Sequence, residues 1–366
     1  MIKILYLMHI PWRWVKQRPH YIAEQMSGHY EVEVFFRKLY CIEQQLTNDH
    51  PPPLRTHEIF VLPLERFDAV WQLNCRIFSF QLRDTISRFD LVWITNPLMF
   101  DMVEPVLPLG MKVAYDCMDD ALEFPRIKRD VRLRERVGVS ERKLAARSDI
   151  VFASSQTLKE RIAARYDLRK EIDVVTNAMF LGDRDPDPGP TLGIAGTFQS
   201  APCRLTYIGT ISEWFDFPLI LEALDARKDV TVFLFGPTEV PIPVHDRLVY
   251  FGPVEHRHVY RIMAMSDALI MPFRINDLVL GVDPVKLYEY ISSGKPVLAV
   301  EYPETRKFAE FVYLYNDSAD FRELSSRVAD KLLTSKMTPG QCAEFAEANT
   351  WGERTRFISA RLDSLF

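Results

Sequence analysis

The sequence contains no apolar run approaching the roughly 18 residues that a membrane-spanning helix needs. Cysteine is sparse. Cys41, Cys75, Cys117, Cys203 and Cys342 are scattered, odd in number and never in a C-x-x-C pair. That pattern argues against a disulfide framework or a zinc site and fits a reducing cytoplasm. There is no excess of positive charge: the net charge is -5, which excludes a general nucleic-acid binder. The opening MIKILYLMHIPW lacks a small-residue cleavage site, so it reads as a buried strand rather than a signal peptide. No Ser-His-Asp or Cys-His arrangement can be read from spacing.

A chain of 366 residues is too long for one ordinary core and predicts two domains. Short β-rich runs alternate with helical patterns. The predicted strands of the first half are 2–8, 31–37, 58–62, 90–95, 112–117, 150–154 and 172–176. Those of the second half are 204–208, 230–235, 248–251, 268–272, 297–301 and 311–315. Most are continuously apolar, as parallel strands buried on both faces should be. The fold class is therefore α/β, with two doubly wound parallel-sheet domains whose ligands sit at the carboxyl ends of the strands. The expected domains are 1–180 and 204–351, joined by a Pro-rich linker over 181–203. With two such domains the default site is the cleft between them. The segment 341–366 reads as one amphipathic helix that crosses back to complete the first domain.

Charge is uneven along the chain. Residues 1–176 hold 26 Lys+Arg and 24 Asp+Glu, and the remainder holds 19 and 26, so the balances are +2 and -7. The basic stretch 126–147 reads as a solvated helix with alternating charges, ahead of a contact with anionic lipid or acceptor. Residues 71–89 form an Arg-flecked amphipathic pattern, more often packing than membrane binding. Peripheral membrane contact stays open.

The segment Asp283-Pro284-Val285-Lys286-Leu287-Tyr288-Glu289-Tyr290-Ile291-Ser292-Ser293-Gly294-Lys295-Pro296-Val297 carries the most chemistry. Pro284 suits a first helical turn and Gly294 a helix C-terminus. The helix N-terminus favours an anion, and Lys286 adds a full positive charge there. Glu289 lies three residues on, on the same face. Lysine for a diphosphate and carboxylate for ribose hydroxyls is one reading. A surface ion pair is the other, and spacing alone favours it.

PVKLYEYISSGKPVLAV resembles the donor-site segment of GT-B glycosyltransferases, especially family 4 and its relatives. RLTYIGTISEWFDFPLILEAL, FLFGP, RLVYFGPV and SDALIMPF precede it in the order of such a C-terminal domain. PWRWVKQRPHYIAEQM, KVAYDCMDD and SDIVFASSQTLKERI resemble junctions of the N-terminal domain. The resemblance covers nearly the whole chain and is strongest over 204–302. It is nearest to bacterial transferases of surface or capsular polysaccharides. It implies that Glu289 binds ribose, that Lys286 meets the diphosphate or the donor sugar, and that Asp283 faces that sugar. Gly209 and Thr210 would line the diphosphate, and Val254 would approach the base. The sequence departs from the family's E-x7-E pattern: Gly281 stands at the first glutamate position.

On the acceptor side the candidates are Asp116, Asp119 and Asp120 at the end of the 112–117 strand. If transfer inverts the anomeric centre, Asp119 is the favoured base. An Asx turn or helix cap is the alternative. Arg13, Lys16 and Arg18 follow the first strand, where no G-x-G-x-x-G occurs, and could meet a donor or lipid phosphate. Trp12 and Trp14 could pack on sugar or anchor the loop. Asp183-x-Asp185-x-Asp187 has cation-ligand spacing but no further ligands nearby. His256 and His258 do not share a helical face.

These residues predict a cytoplasmic, metal-independent glycosyltransferase that needs no cofactor. Its partners would be a nucleotide-sugar donor, UDP-linked by preference, and a glycan or lipid-linked acceptor. The rival readings are a nucleotide-sugar epimerase of the same fold and a catalytically silent subunit of a polysaccharide assembly complex.

Overall fold

Each apolar run becomes a parallel strand because helices cover both of its faces. The computed structural model describes residues 1–14, 16–37, 52–181 and 195–366. The chain divides into two compact units, Met1–Asn177 with Trp351–Phe366, and Ala178–Thr350.

Unit 1 opens with β1 (Lys3–Met8), α1 (Arg18–Met26), β2 (Glu31–Arg37), β3 (Arg55–Ile59) and α2 (Asp68–Leu82). It continues through β4 (Leu91–Ile94), α3 (Pro97–Val103), β5 (Lys112–Cys117), α4 (Pro125–Arg129) and α5 (Val131–Arg147). β6 (Ile150–Ala153), α6 (Gln156–Tyr166) and β7 (Ile172–Val174) follow. The sheet order is β3-β2-β1-β4-β5-β6-β7. Leu7, Phe78, Ile94, Phe100 and Val113 lie in its core.

Unit 2 begins with α7 (Ala195–Ser200), β8 (Cys203–Ile208), α8 (Phe217–Ala226), β9 (Val230–Phe235) and β10 (Leu248–Tyr250). Next come α9 (His256–Met265), β11 (Ala268–Met271), α10 (Asp277–Leu280), α11 (Val285–Ser292) and β12 (Val297–Val300). α12 (Pro303–Arg306), β13 (Tyr313–Tyr315), α13 (Ser318–Ala329) and α14 (Pro339–Ala348) complete it. The order is β10-β9-β8-β11-β12-β13. In both sheets the winding reverses beside the first strand, at β1/β4 and at β8/β11. Such switch points are where doubly wound folds bind ligands.

Every predicted strand is present, with one clear shift. β3 was expected at 58–62 but ends at Ile59, because side chains of α2 take over the next backbone groups. Asn74 Oδ1 accepts from Leu62 N (2.7 Å) and Asn74 Nδ2 donates to Leu62 O (2.8 Å). The predicted terminal helix is two helices. α14 stops at Asn349, whose side-chain amide donates to Phe345 O (2.8 Å), and α15 (Trp351–Asp363) begins afresh. α15 belongs to unit 1. Trp351 stacks on Tyr21 at 5.3 Å, Tyr30 Oη donates to Asp363 (2.8 Å), and Arg361 binds Asp173 (2.8 Å). Part of the stretch read as linker is helical: α7 buries Phe198 against Phe233, with ring centroids 4.1 Å apart. Asp183, Asp185 and Asp187 lie outside the described residues.

The basic stretch 126–147 spends much of its charge locally. Lys128 and Arg134 pair with Glu123, Arg136 with Asp68, Lys143 with Glu104 and Arg147 with Asp149. No helix among the described residues is long and apolar enough to cross a membrane.

Candidate active site

In unit 2, α11 buries Leu287, Tyr290 and Ile291 and ends where Gly294 turns at φ +70°. Tyr290 pins it to the switch point. Its hydroxyl accepts from Ile208 N (2.8 Å) and donates to Ile208 O (3.2 Å), at the carboxyl end of β8. Glu289, the preceding residue, is buried. Its Oε2 accepts from Lys286 Nζ at 2.7 Å and its Oε1 lies 3.2 Å from His256 Nε2. Burial alone would raise the Glu289 pKa, but Lys286 and His256 outweigh it and hold the carboxyl at about 2. The group is a fixed anion at every physiological pH.

Gly209 and Thr210 follow β8 directly. Gly209 N donates to Phe235 O (2.8 Å) and Thr210 O accepts from Tyr207 Oη (2.8 Å). The backbone is crowded here. Gly236 sits at φ +132°, and a Cβ on it would stand 2.0 Å from Gly209 O. Only glycine fits such an approach. Val254 is half-buried and lies two residues before His256, the first residue of α9. Asp283 is fully buried, engaged by Lys307 and by Tyr288 Oη (3.1 Å). Gly281 is the C-cap of α10.

In unit 1, the three aspartates after β5 separate by environment. Asp116 is held by Arg18, whose Nη2 donates to Oδ1 at 2.8 Å. Asp120 is held by Arg165 (2.7 Å) and Arg161 (3.6 Å). Among the described residues no cation or donor engages the Asp119 carboxylate. Burial pushes its pKa up; Arg18 opposes this and Asp116 and Asp120 add to it, with a result of about 6. A partly protonated, unpaired carboxylate at a strand's carboxyl end can exchange a proton near neutrality.

The structure thus brings Lys286 and Glu289 together and places Gly209 and Thr210 at the same strand end that α11 grips. Arg18 is buried and donates to Val175 O (2.6 Å) as well as to Asp116. Arg13 is exposed, Lys16 pairs with Glu24 (2.5 Å), and Trp12 is buried beside His20. Sequence reasoning missed His256 as a partner of Glu289, since nothing in the sequence links positions 33 apart. It also passed over His9, which directly follows β1 at the unit 1 switch point, with Nδ1 3.0 Å from Thr95 Oγ1. Burial, with Arg37 and His20, lowers the His9 pKa to about 4.

No protein-family model matches the chain. TuaH of Bacillus subtilis (strain 168), assigned as a teichuronic acid biosynthesis glycosyltransferase, is 28% identical over 222 residues. The match takes in 56% of this chain and 54% of TuaH, so the chain spans about half the length of that curated relative. HepE of Anabaena in complex with UDP-glucose superposes with a TM-score of 0.73 at 15% identity, covering 100% of both chains. Sucrose-phosphate synthase of Thermosynechococcus elongatus gives 0.72 at 13% identity, covering 100% of this chain and 99% of that one. With two parallel sheets of these strand orders, and α15 returned to unit 1, the fold of this chain is the GT-B glycosyltransferase fold.

Proposed function

We propose that this chain transfers a sugar from a nucleoside-diphosphate sugar to a glycan or lipid-linked glycan acceptor in bacterial polysaccharide synthesis. The observation that carries it is the buried Glu289 carboxylate, held ionised by Lys286 and His256 beside the β8 switch point of a GT-B fold. Glu289 takes the ribose hydroxyls. Lys286, the first turn of α11 and the Gly209–Thr210 backbone take the diphosphate, and Val254 borders the base. Negative charge grows on the departing nucleoside diphosphate in the transition state, so a lysine and helix N-H groups already in place lower the barrier. Asp283 is a support for the start of α11 through Lys307 and Tyr288.

On the acceptor side, Asp119 removes the hydroxyl proton in an inverting transfer. Asp116 and Asp120 are paired with arginines, and among the described residues Asp119 is the one carboxylate of the three without a cation paired to it. Uridine is the favoured base, because HepE, of the same fold, is solved in complex with UDP-glucose. The kinship to TuaH supports a polysaccharide acceptor.

The test is thermal unfolding with UDP, GDP, ADP, CMP and NAD, on wild type and on Glu289→Ala. Ligand at about 100 times Kd adds about 2.7 kcal/mol. A shift from one nucleoside diphosphate, lost in the variant, is expected. No shift from any of them sinks the donor reading and favours a catalytically silent subunit. Conversion of the donor sugar without an acceptor would point to an epimerase.

A further inference from the structure

We infer that His256 is a positioning residue that fixes the plane of the Glu289 carboxylate and so sets the preference of the site for ribose over 2′-deoxyribose. The inference rests on the donor-site reading above. Glu289 has two side-chain partners among the described residues, and they come from different helices. Lys286, on α11 itself, reaches Oε2 at 2.7 Å, and His256, at the start of α9, stands 3.2 Å from Oε1. An ionised carboxylate only accepts, so the His256 ring must carry a proton on Nε2 and donate it.

One anchor on one oxygen would leave the carboxylate free to turn about its last torsion, which is broad and weakly restrained. Two anchors on two oxygens stop that rotation. A carboxylate has about four lone-pair sites. Two are used by the anchors, and the two that remain hold a fixed direction suited to a pair of adjacent hydroxyls. The imidazole is itself held edgewise against Tyr260 and Phe180, with ring centroids 6.3 and 6.4 Å away. Its side chain is 38% exposed while that of Glu289 is 5% exposed, so His256 stands between the buried anion and solvent. Removing it costs little packing but frees the carboxylate.

The experiment compares Kd for paired ribo- and 2′-deoxyribonucleotides (UDP, GDP and ADP with their deoxy counterparts) on wild type, His256→Ala and His256→Gln. Hydrogen bonds to a charged acceptor predict a wild-type ribose preference of roughly tenfold or more. His256→Ala should shrink that ratio severalfold with the deoxynucleotide affinity nearly unchanged. His256→Gln, which keeps an N-H donor, should restore part of it. A merely structural histidine would weaken both members of a pair alike and leave the ratio intact. That outcome overturns the inference alone. A wild type that binds none of the nucleotides, or binds each pair equally, overturns the donor-site reading and the inference with it.

Discussion

At the scale of single residues, chemistry depends on which charges are already spent. Asp116 and Asp120 are neutralised by arginines and Asp119 is not. Its raised pKa has two consequences of opposite sign. For activity, kcat/KM should rise with pH through an apparent pKa of about 6, and Asp119→Asn should cost on the order of 100-fold or more. A limb near pH 4 instead would take the role away from a carboxyl raised to about 6. For stability, a carboxyl whose folded pKa exceeds its unfolded one opposes folding once both states are ionised. Asp119→Asn should therefore stabilise the protein by about 1–2 kcal/mol above pH 6, allowing for partial exposure. The gain should vanish below about pH 4, as a pH series of urea unfolding would show.

Lys286→Ala is expected to lower kcat by roughly 10²-fold, more than it raises KM, because in the proposed donor site the lysine would meet charge that grows during transfer. Unchanged steady-state rates would remove it from the mechanism. Glu289 is the opposite case to Asp119: its folded pKa of about 2 lies below the unfolded value. Its stabilisation is fully present above about pH 4.5 and is lost as pH falls toward 2. Glu289→Gln should cost on the order of 3 kcal/mol at neutral pH, with the gap closing across that window in acid unfolding curves.

At the scale of elements, the legible features were those with a local period. Continuously apolar runs located the strands, since burial on both faces demands them. β3 was misplaced because its end is decided by Asn74, a side chain on another element. The terminal helix read as one piece because the apolar spacing runs on through Asn349-Thr350, where the backbone leaves the helix. In the candidate site, Lys286 and Glu289 were readable as an i,i+3 pair. His256 and the Arg18–Asp116 clasp were not, since partners 33 and 98 residues apart meet only through the fold. The loop ends show the same dependence. Gly236→Ala puts a methyl into the Gly209 carbonyl. It should displace the loop after β8 and weaken nucleoside-diphosphate binding at least tenfold by calorimetry, with far-ultraviolet circular dichroism unchanged.

At the scale of the whole molecule, unit 1 is built from two separated stretches of chain. α15 buries Trp351, Ile358 and Leu362 in it almost completely. Burial of three such side chains contributes about 5–8 kcal/mol, as much as an entire domain's net stability. Truncation after Thr350 should therefore leave unit 1 unfolded while unit 2 keeps its own cooperative transition, so calorimetry should record one transition of reduced enthalpy. A single unchanged transition would mean that α15 is dispensable.

The same discontinuity imposes an order in time. Ala178–Thr350 is 173 residues long, and at roughly 5–20 residues per second a ribosome takes about 10–35 s to make it. Through that interval the amino-terminal sheet exists without its closing helix, and the faces of Tyr21 and Tyr30 that receive α15 stay uncovered. The carboxyl-side unit can mature first although its synthesis starts later. The waiting surface is one that chaperones can bind, and completion of the first unit reports that the second has been translated in full.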